Sequence, residues 1–166
     1  MRAFLAVTLL TILFCRAAYI AGFRVNHSQS MPLGLWRQTA GARGFKTGDV
    51  VVVCPPLTDR QGVYLDPGYC PSRKEPMLKP VAAVAGDDVL VARDGITVNG
   101  RRVKQTAPLP VDGAGRALEA YPVGRYTVPA DQVWLLAPLP RSFDSRYIGP
   151  VSTSDIKGLA SPVLVW

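Results

Sequence analysis

Histidine is all but missing from this chain, whose 166 residues include only His27. With one histidine and three cysteines, the sequence offers no plausible zinc ligand set, and no metal or cofactor is expected. Acid is scarce at the start: Asp49 is the first acidic residue, whereas Arg2, Arg16, Arg24, Arg37, Arg43 and Lys46 precede it. The formal charge of +7 is thus gathered beside an apolar stretch, which points to anionic lipid headgroups before nucleic acid. There is no internal repeat and no low-complexity tract, and 15 prolines with 15 glycines leave little room for long helices beyond the first.

What is present begins with residues 3–23, AFLAVTLLTILFCRAAYIAGF, a stretch about as long as a bilayer's hydrocarbon core is thick. Arg16 interrupts it, but past the midpoint its side chain can snorkel towards headgroups. The expectation is a retained transmembrane helix, with a cleaved signal peptide as the alternative, since AAYIA offers small residues for cleavage. Residues 1–24 are accordingly read as a membrane anchor and residues 25–166 as one exported domain, with an inserted loop around 54–78.

Beyond the anchor the pattern is β. The runs DVVVVC (49–54), PVAAVAGDDVLVA (80–92) and QVWLLAP (132–138) are short, rich in β-branched residues and bounded by Gly, Pro and Asp. ITVNGRRV (96–103) sets Asn99-Gly100 between two alternating runs, a hairpin signal. With RYTVP and the closing SPVLVW this predicts six to eight strands in a mainly β, antiparallel, barrel-like or sandwich-like domain. Residues 104–124 read as an extended surface loop of the kind that rims a cleft.

Cys54 and Cys70 bracket a Pro/Gly-rich stretch with little periodicity. A disulfide between them would add about 3 kcal/mol and imply an oxidising compartment; two unpaired buried thiols are the alternative. Cys15 lies in the apolar segment.

Three stretches hold candidate chemistry. In HSQSMPLGLW (27–36), Ser30 taken alone is a solvated loop serine, because a serine nucleophile needs a base and oxyanion donors. His27, three residues away, is too close for a Ser-His-acid arrangement and is read as a solvated or interfacial side chain. Lys79, in EPMLKPVAAVAGDD, is the one lysine with apolar sequence on both sides, so burial can lower its pKa, although a snorkelling strand-end lysine fits too. In SFDSRYIG (142–149), Asp144 and Arg146 fall at strand spacing, where they can pair, and otherwise form an ordinary surface ion pair.

Taken in order, the SQSMP serine after an apolar helix, the lysine strand ending in Gly86-Asp87, and SFDSRYIG resemble the boxes of the type I signal peptidase family. The resemblance implies a Ser-Lys dyad with Ser30 as nucleophile and Lys79 as general base. By the same carry-over, Ser28 supplies an oxyanion-hole hydroxyl, Ser142 orients the lysine, and Asp144 and Arg146 form a supporting pair. It also implies a short cytoplasmic N-terminus and a periplasmic catalytic domain at the bacterial inner membrane, with Met31, Leu33 and Trp36 expected at the lipid interface.

The chain lacks the GDNR stretch usual in preprotein-processing members, having LLAPLPR (135–141), and Pro80 rather than Arg follows Lys79. These departures resemble the TraF-type branch of conjugative transfer. That resemblance implies a pilin precursor as substrate, cleaved and in some members cyclised, contact with a conjugative secretion apparatus, and a part for Asp144 in activity. A general signal peptidase for exported preproteins and a non-catalytic assembly factor of a secretion channel are the alternatives, and no nucleic-acid partner is expected.

Overall fold

A computed structural model describes residues 1–41 and 44–166, apart from the side chains of Arg2 and Ala3; Arg43, counted above among the early basic residues, lies outside the described set. The chain opens with α1 (Arg2–Ile20) and continues into β1 (Phe23–Asn26), β2 (Gly34–Thr39) and β3 (Val50–Val53). A one-turn α2 (Asp59–Gly62) precedes β4 (Met77–Ala83), β5 (Asp88–Ala92), β6 (Gly95–Val98) and β7 (Arg101–Arg102). Then follow β8 (Gly124–Thr127), β9 (Gln132–Leu135), a second single turn α3 (Ser145–Ile148), β10 (Val151–Ser152) and β11 (Ile156–Val165).

The strands form a seven-stranded sheet, ordered β1-β2-β11-β3-β4-β9-β10, and a four-stranded sheet, ordered β7-β6-β5-β8. Every pairing is antiparallel, as the alternating runs predict. The Asn99-Gly100 step makes the β6–β7 hairpin, both residues having positive φ (47° and 76°). The described residues form eleven strands where six to eight were expected, the sequence reading having missed β1, β2 and the two-residue β10. β1 and β2 both carry arginine and alternate imperfectly, and only Gly34 and Trp36 of their ten residues are fully buried.

Two apolar clusters fill the domain. Val51, Val53, Met77, Val81, Val133, Leu135 and Val151 pack inside the larger sheet. Ala83, Val89, Val91, Ile96, Val128, Trp134 and Leu136 pack under the smaller one. Strand β4 serves both, its alternate residues Met77, Lys79, Val81 and Ala83 all pointing inward. A third cluster gathers Trp36, Val52 and Ala160, with Met31 and Leu78 against it. Trp36 is therefore not at a lipid interface as expected; it is 3% exposed, because β2 pairs with β11 and turns the indole into the sheet's core.

α1 carries a row of exposed apolar side chains, including Phe4, Leu5, Leu9, Leu10, Leu13 and Phe14. Among the described residues no helix is long and apolar enough to cross a membrane, so the expected transmembrane span is not established by the structure. The helix exit is tied to the domain by Arg24 on β1. Its Nη1 donates to the carbonyls of Tyr19 (2.7 Å), in the last turn of α1, and of Phe23 (2.8 Å), the first residue of β1, so a cation sits at the helix's C-terminal end.

Gly34 closes the β1–β2 hairpin with φ +137°, and a Cβ there would lie 2.1 Å from the Leu164 carbonyl oxygen. Gly34→Ala should therefore cost about 3 kcal/mol or more, since backbone must shift as well as φ. Gly41, at φ +78° with nothing among the described residues within 4 Å, gives the control: Gly41→Ala should cost about 1 kcal/mol. Urea unfolding of both variants in detergent checks the contrast.

Candidate active site

The inward parity of β4 puts an amine where apolar neighbours dictate a hydrophobe. Lys79 pairs in register with Val51 and is 4% exposed, the same burial as Met77 two residues before it. Its Nζ donates to Ser30 Oγ at 2.7 Å and to Ser142 Oγ at 3.0 Å. Burial pushes the Lys79 ammonium down to about 8; the Asp144 carboxylate opposes the shift and the Arg146 guanidinium reinforces it.

Ser30 rides on the loop that joins β1 to β2. Two side chains hold this loop, one expected at the lipid interface and one the sequence reading left unassigned: Trp36 Nε1 donates to the Pro32 carbonyl at 3.1 Å, and the Asn26 amide reaches several of its backbone groups. Ser28 lies in the same loop, and its hydroxyl donates to Asn26 Oδ1 at 3.0 Å. His27 is exposed, 3.4 Å from the Glu75 carboxylate and outside the contacts to Ser30 and Lys79.

Ser142 belongs to a turn fixed by a buried ion pair. Asp144 and Arg146, at 0% and 1% exposure, were expected on one face of a strand. Instead Asp144 caps the single turn α3, accepting from the Arg146 backbone N–H at 3.2 Å. A two-residue separation still brings the side chains together, with Arg146 Nε donating to Oδ1 at 2.8 Å and Nη2 to Oδ2 at 3.0 Å. Arg146 also donates to the carbonyls of Gln105 (3.0 Å), Ala137 (2.8 Å) and Pro140 (3.1 Å). The Ala137 N–H closes the ring by donating to Asp144 Oδ2 at 3.0 Å. The pair is thus no ordinary surface contact: it is desolvated and saturated, and it stitches the 137–142 segment in place. Ser145 Oγ adds another tie by accepting from the Leu135 N–H at 2.8 Å.

Ser30 and Lys79 line a cleft of about 530 Å³. Cys54 and Cys70 are joined by a disulfide, Cα to Cα 5.4 Å, so of the two readings of these thiols the bonded one is realised. The loop it closes supplies Tyr64, Leu65, Asp66 and Tyr69 to one wall. Tyr64 packs on Phe143, ring centroids 5.0 Å apart, so this wall leans on the turn that carries Ser142 and Asp144. Across the cleft stand Val25, Asn26 and Ser28. Among the described residues no group of histidine, cysteine, aspartate and glutamate is arranged to hold a metal ion.

Comparison with known proteins shows the family. Residues 1–166 match the family described as signal peptidase, peptidase S26. The chain belongs to that signal peptidase family. Among its relatives, a probable conjugal transfer protein TraF from Sinorhizobium fredii is 41% identical over 157 residues, 90% of this chain and 81% of that one. A plasmid transfer protein TraF from Escherichia coli is 36% identical over 162 residues, covering 93% and 89%. A conjugal transfer protein TraF from Agrobacterium fabrum is 38% identical over 153 residues, covering 89% and 85%. A crystal structure of a signal peptidase I from Enterococcus faecalis aligns with TM-score 0.40 and 18% identity over 72% of this chain and 98% of that one, too distant a likeness to bear on the site. Membership in the signal peptidase family makes this a peptidase-family chain with a protein as its substrate.

The lowered pKa of Lys79 carries a stability cost with a definite sign. In the unfolded chain the lysine holds its proton up to about pH 10.5, whereas the folded chain releases it near 8, so stability rises with pH between those values. Below pH 8 the full cost, on the order of 3 kcal/mol, is present. Lys79→Met should therefore raise stability at pH 7 by about 1 to 3 kcal/mol, and most of the gain should vanish by pH 10. Urea midpoints of the two proteins at both pH values measure it.

Proposed function

We propose that this signal peptidase family member is a serine endopeptidase of the Ser-Lys type that matures a pilin precursor in conjugative transfer. The observation that carries the reading is the 2.7 Å contact between a loop hydroxyl facing an open cleft and a buried lysine amine whose pKa is brought to about 8. Neutral Lys79 takes the Ser30 proton as Oγ attacks the scissile carbonyl, and Ser142 keeps the amine aimed. The tetrahedral oxyanion is received by the Ser30 backbone N–H and the Ser28 hydroxyl, which turns from Asn26 to donate to it. Lys79 then passes its proton to the departing amine, leaving the acyl group esterified to Ser30.

Two nucleophiles can resolve that ester. Water, deprotonated by Lys79, gives a linear product, while the pilin's own N-terminal amine, present at high effective concentration through its tether, gives a cyclic one. Asp144, paired with Arg146, supports the site by fixing the Ser142 turn, while Arg146 offsets its field on Lys79. The conjugal transfer names of the relatives support a pilin-type substrate and contact with a secretion apparatus.

In the same reading, residues 1–24 anchor the protein at the bacterial inner membrane and residues 25–166, with their loop around 54–78, form the periplasmic catalytic domain. The disulfide, the exposed apolar face of α1 and the basic residues beside it support this arrangement. So does an apolar row at the domain's edge, where Val25, Leu35 and Leu164 lie in register and Val25 and Leu164 are 68% and 64% exposed.

Intact mass of the pilin precursor from the same transfer region, incubated with the protein in detergent, tests the proposal. Wild type should yield a truncated product, one water lighter than the linear peptide if the amine resolves the ester. Ser30→Ala and Lys79→Arg should each lose at least 1,000-fold in rate, roughly the scale of removing a nucleophile or its base, because a guanidinium stays protonated. Cleavage of many unrelated preproteins would favour a general signal peptidase. An untouched precursor, with transfer surviving Ser30→Ala, would leave only the assembly-factor role. The rate should fall about tenfold per pH unit below a midpoint near 8, as protonated Lys79 cannot accept the serine proton; a flat profile to pH 5 would remove Lys79 as the base.

A further inference from the structure

We infer that Asn26 is the residue that positions the nucleophile loop, an inference that rests on the Ser30–Lys79 reading above. Asn26 ends β1 and faces Gly34, the first residue of β2, so it stands at the neck of the hairpin whose loop carries Ser30. Its Nδ2 lies 3.0 Å from the Ser28 carbonyl, 3.1 Å from that of Met31 and 2.9 Å from that of Pro32. Its Oδ1 accepts from the Ser28 backbone N–H at 3.2 Å and from the Ser28 hydroxyl at 3.0 Å. One amide therefore grips the chain both before and after Ser30.

The residue type follows from this set of partners. Three carbonyls on one side demand a donor, and an N–H with a hydroxyl on the other demand an acceptor; only a carboxamide offers both on one planar group. Aspartate would turn a carboxylate on three carbonyl oxygens. Glutamine adds a methylene and a further rotatable bond, which displaces the amide from partners set by the shorter side chain. The loop has no regular pairing of its own, and its other ties, from Trp36 to Pro32 and from the Trp166 N–H to Leu33, fall after Ser30, so losing the clamp loosens Ser30 Oγ from its 2.7 Å station on Lys79. The same Oδ1 keeps the Ser28 hydroxyl in the cleft, ready for the oxyanion. Asn26 touches neither Lys79 nor the scissile bond; its effect passes through the loop.

Turnover of the pilin precursor and hydrogen exchange of the full-length protein in detergent test this, with wild type, Asn26→Asp, Asn26→Leu and Ser30→Ala run together. Both Asn26 variants should lose about 100-fold in kcat per folded molecule, the scale of an ångström's misplacement, at unchanged KM. Asn26→Leu should keep a pH midpoint near 8, since the burial of Lys79 is untouched. Exchange should quicken over residues 27–33 and stay as in wild type over β4 and β9. Turnover within threefold of wild type in either variant, unaltered exchange at 27–33, or faster exchange spread through β4 and β9 would each overturn the inference. Ser30→Ala separates the two readings: if it is active the dyad falls, whereas if it is dead beside fully active Asn26 variants only the positioning role falls.

Discussion

An amine has been put where the sheet calls for a hydrophobe, and much of the surrounding structure answers that one placement. Lys79 occupies an inward position of β4 between Met77 and Val81, and water, which would hold its proton, is excluded. Its two polar partners are hydroxyls, which accept from the amine without favouring its charged form as a carboxylate would. A carboxylate is nearby, yet Asp144 is occupied by Arg146 and by backbone N–H groups. The pair leaves little net field, so burial dominates and the amine sits near 8 rather than near 10.5. Arg146 thus does more than neutralise a buried acid; it keeps that acid from claiming the base.

The three segments that meet at the site are held by different forces. β4 is fixed by ladder bonds to β3 and β9 and by the apolar cluster beneath it. The Ser142 turn is fixed by a desolvated ion pair whose guanidinium reaches three carbonyls. The Ser30 loop has neither sheet pairing nor buried charge, and is held by an amide, an indole and a glycine neck. Away from Lys79 and Ser142 themselves, a lesion in the first two costs folding before it costs chemistry. The loop is the segment whose disturbance reaches the chemistry first, because little of the core rests on it.

Legibility in the sequence followed the strength of the local signal. The valine run of β3 and Asn99-Gly100 carry a composition or a turn that few other structures satisfy, and both appear as read, whereas the run read over 80–92 divides at Gly86-Asp87 between β4 and β5, strands of different sheets. β1 and β2 did not declare themselves: FRVN and GLWRQT mix charge with aromatics, and β2 gains its sheet burial by pairing with β11, some 120 positions away. Trp36 was misplaced for the same reason, since an aromatic after an apolar helix suits a lipid interface until the strand beside it is known. Asp144 and Arg146 were paired correctly but on the wrong element, because two-residue spacing fits both a strand face and a capped first turn. Asn26 gave no signal, its value lying in five backbone and hydroxyl contacts that only the folded loop creates. Lys79 could have been found without any resemblance: period-2 parity from Met77 to Ala83 puts it inward, and a lysine at an inward position calls for a reason.

That reason has a thermodynamic shape. A buried lysine held near pKa 8 makes the fold weaker at neutral pH than an apolar residue would, and the remainder of the site limits the loss without removing it. The disulfide closes a 16-residue separation in a long stretch with little sheet of its own, and the Asp144–Arg146 pair is saturated rather than merely close. Both lie next to the cleft, one through Tyr64 on Phe143 and the other through the Ser142 turn. The stabilising devices are therefore concentrated around the destabilising one. This is the pattern expected where a chain tolerates an unfavourable group for its chemistry and stiffens the neighbouring elements so that the group stays dry and aimed.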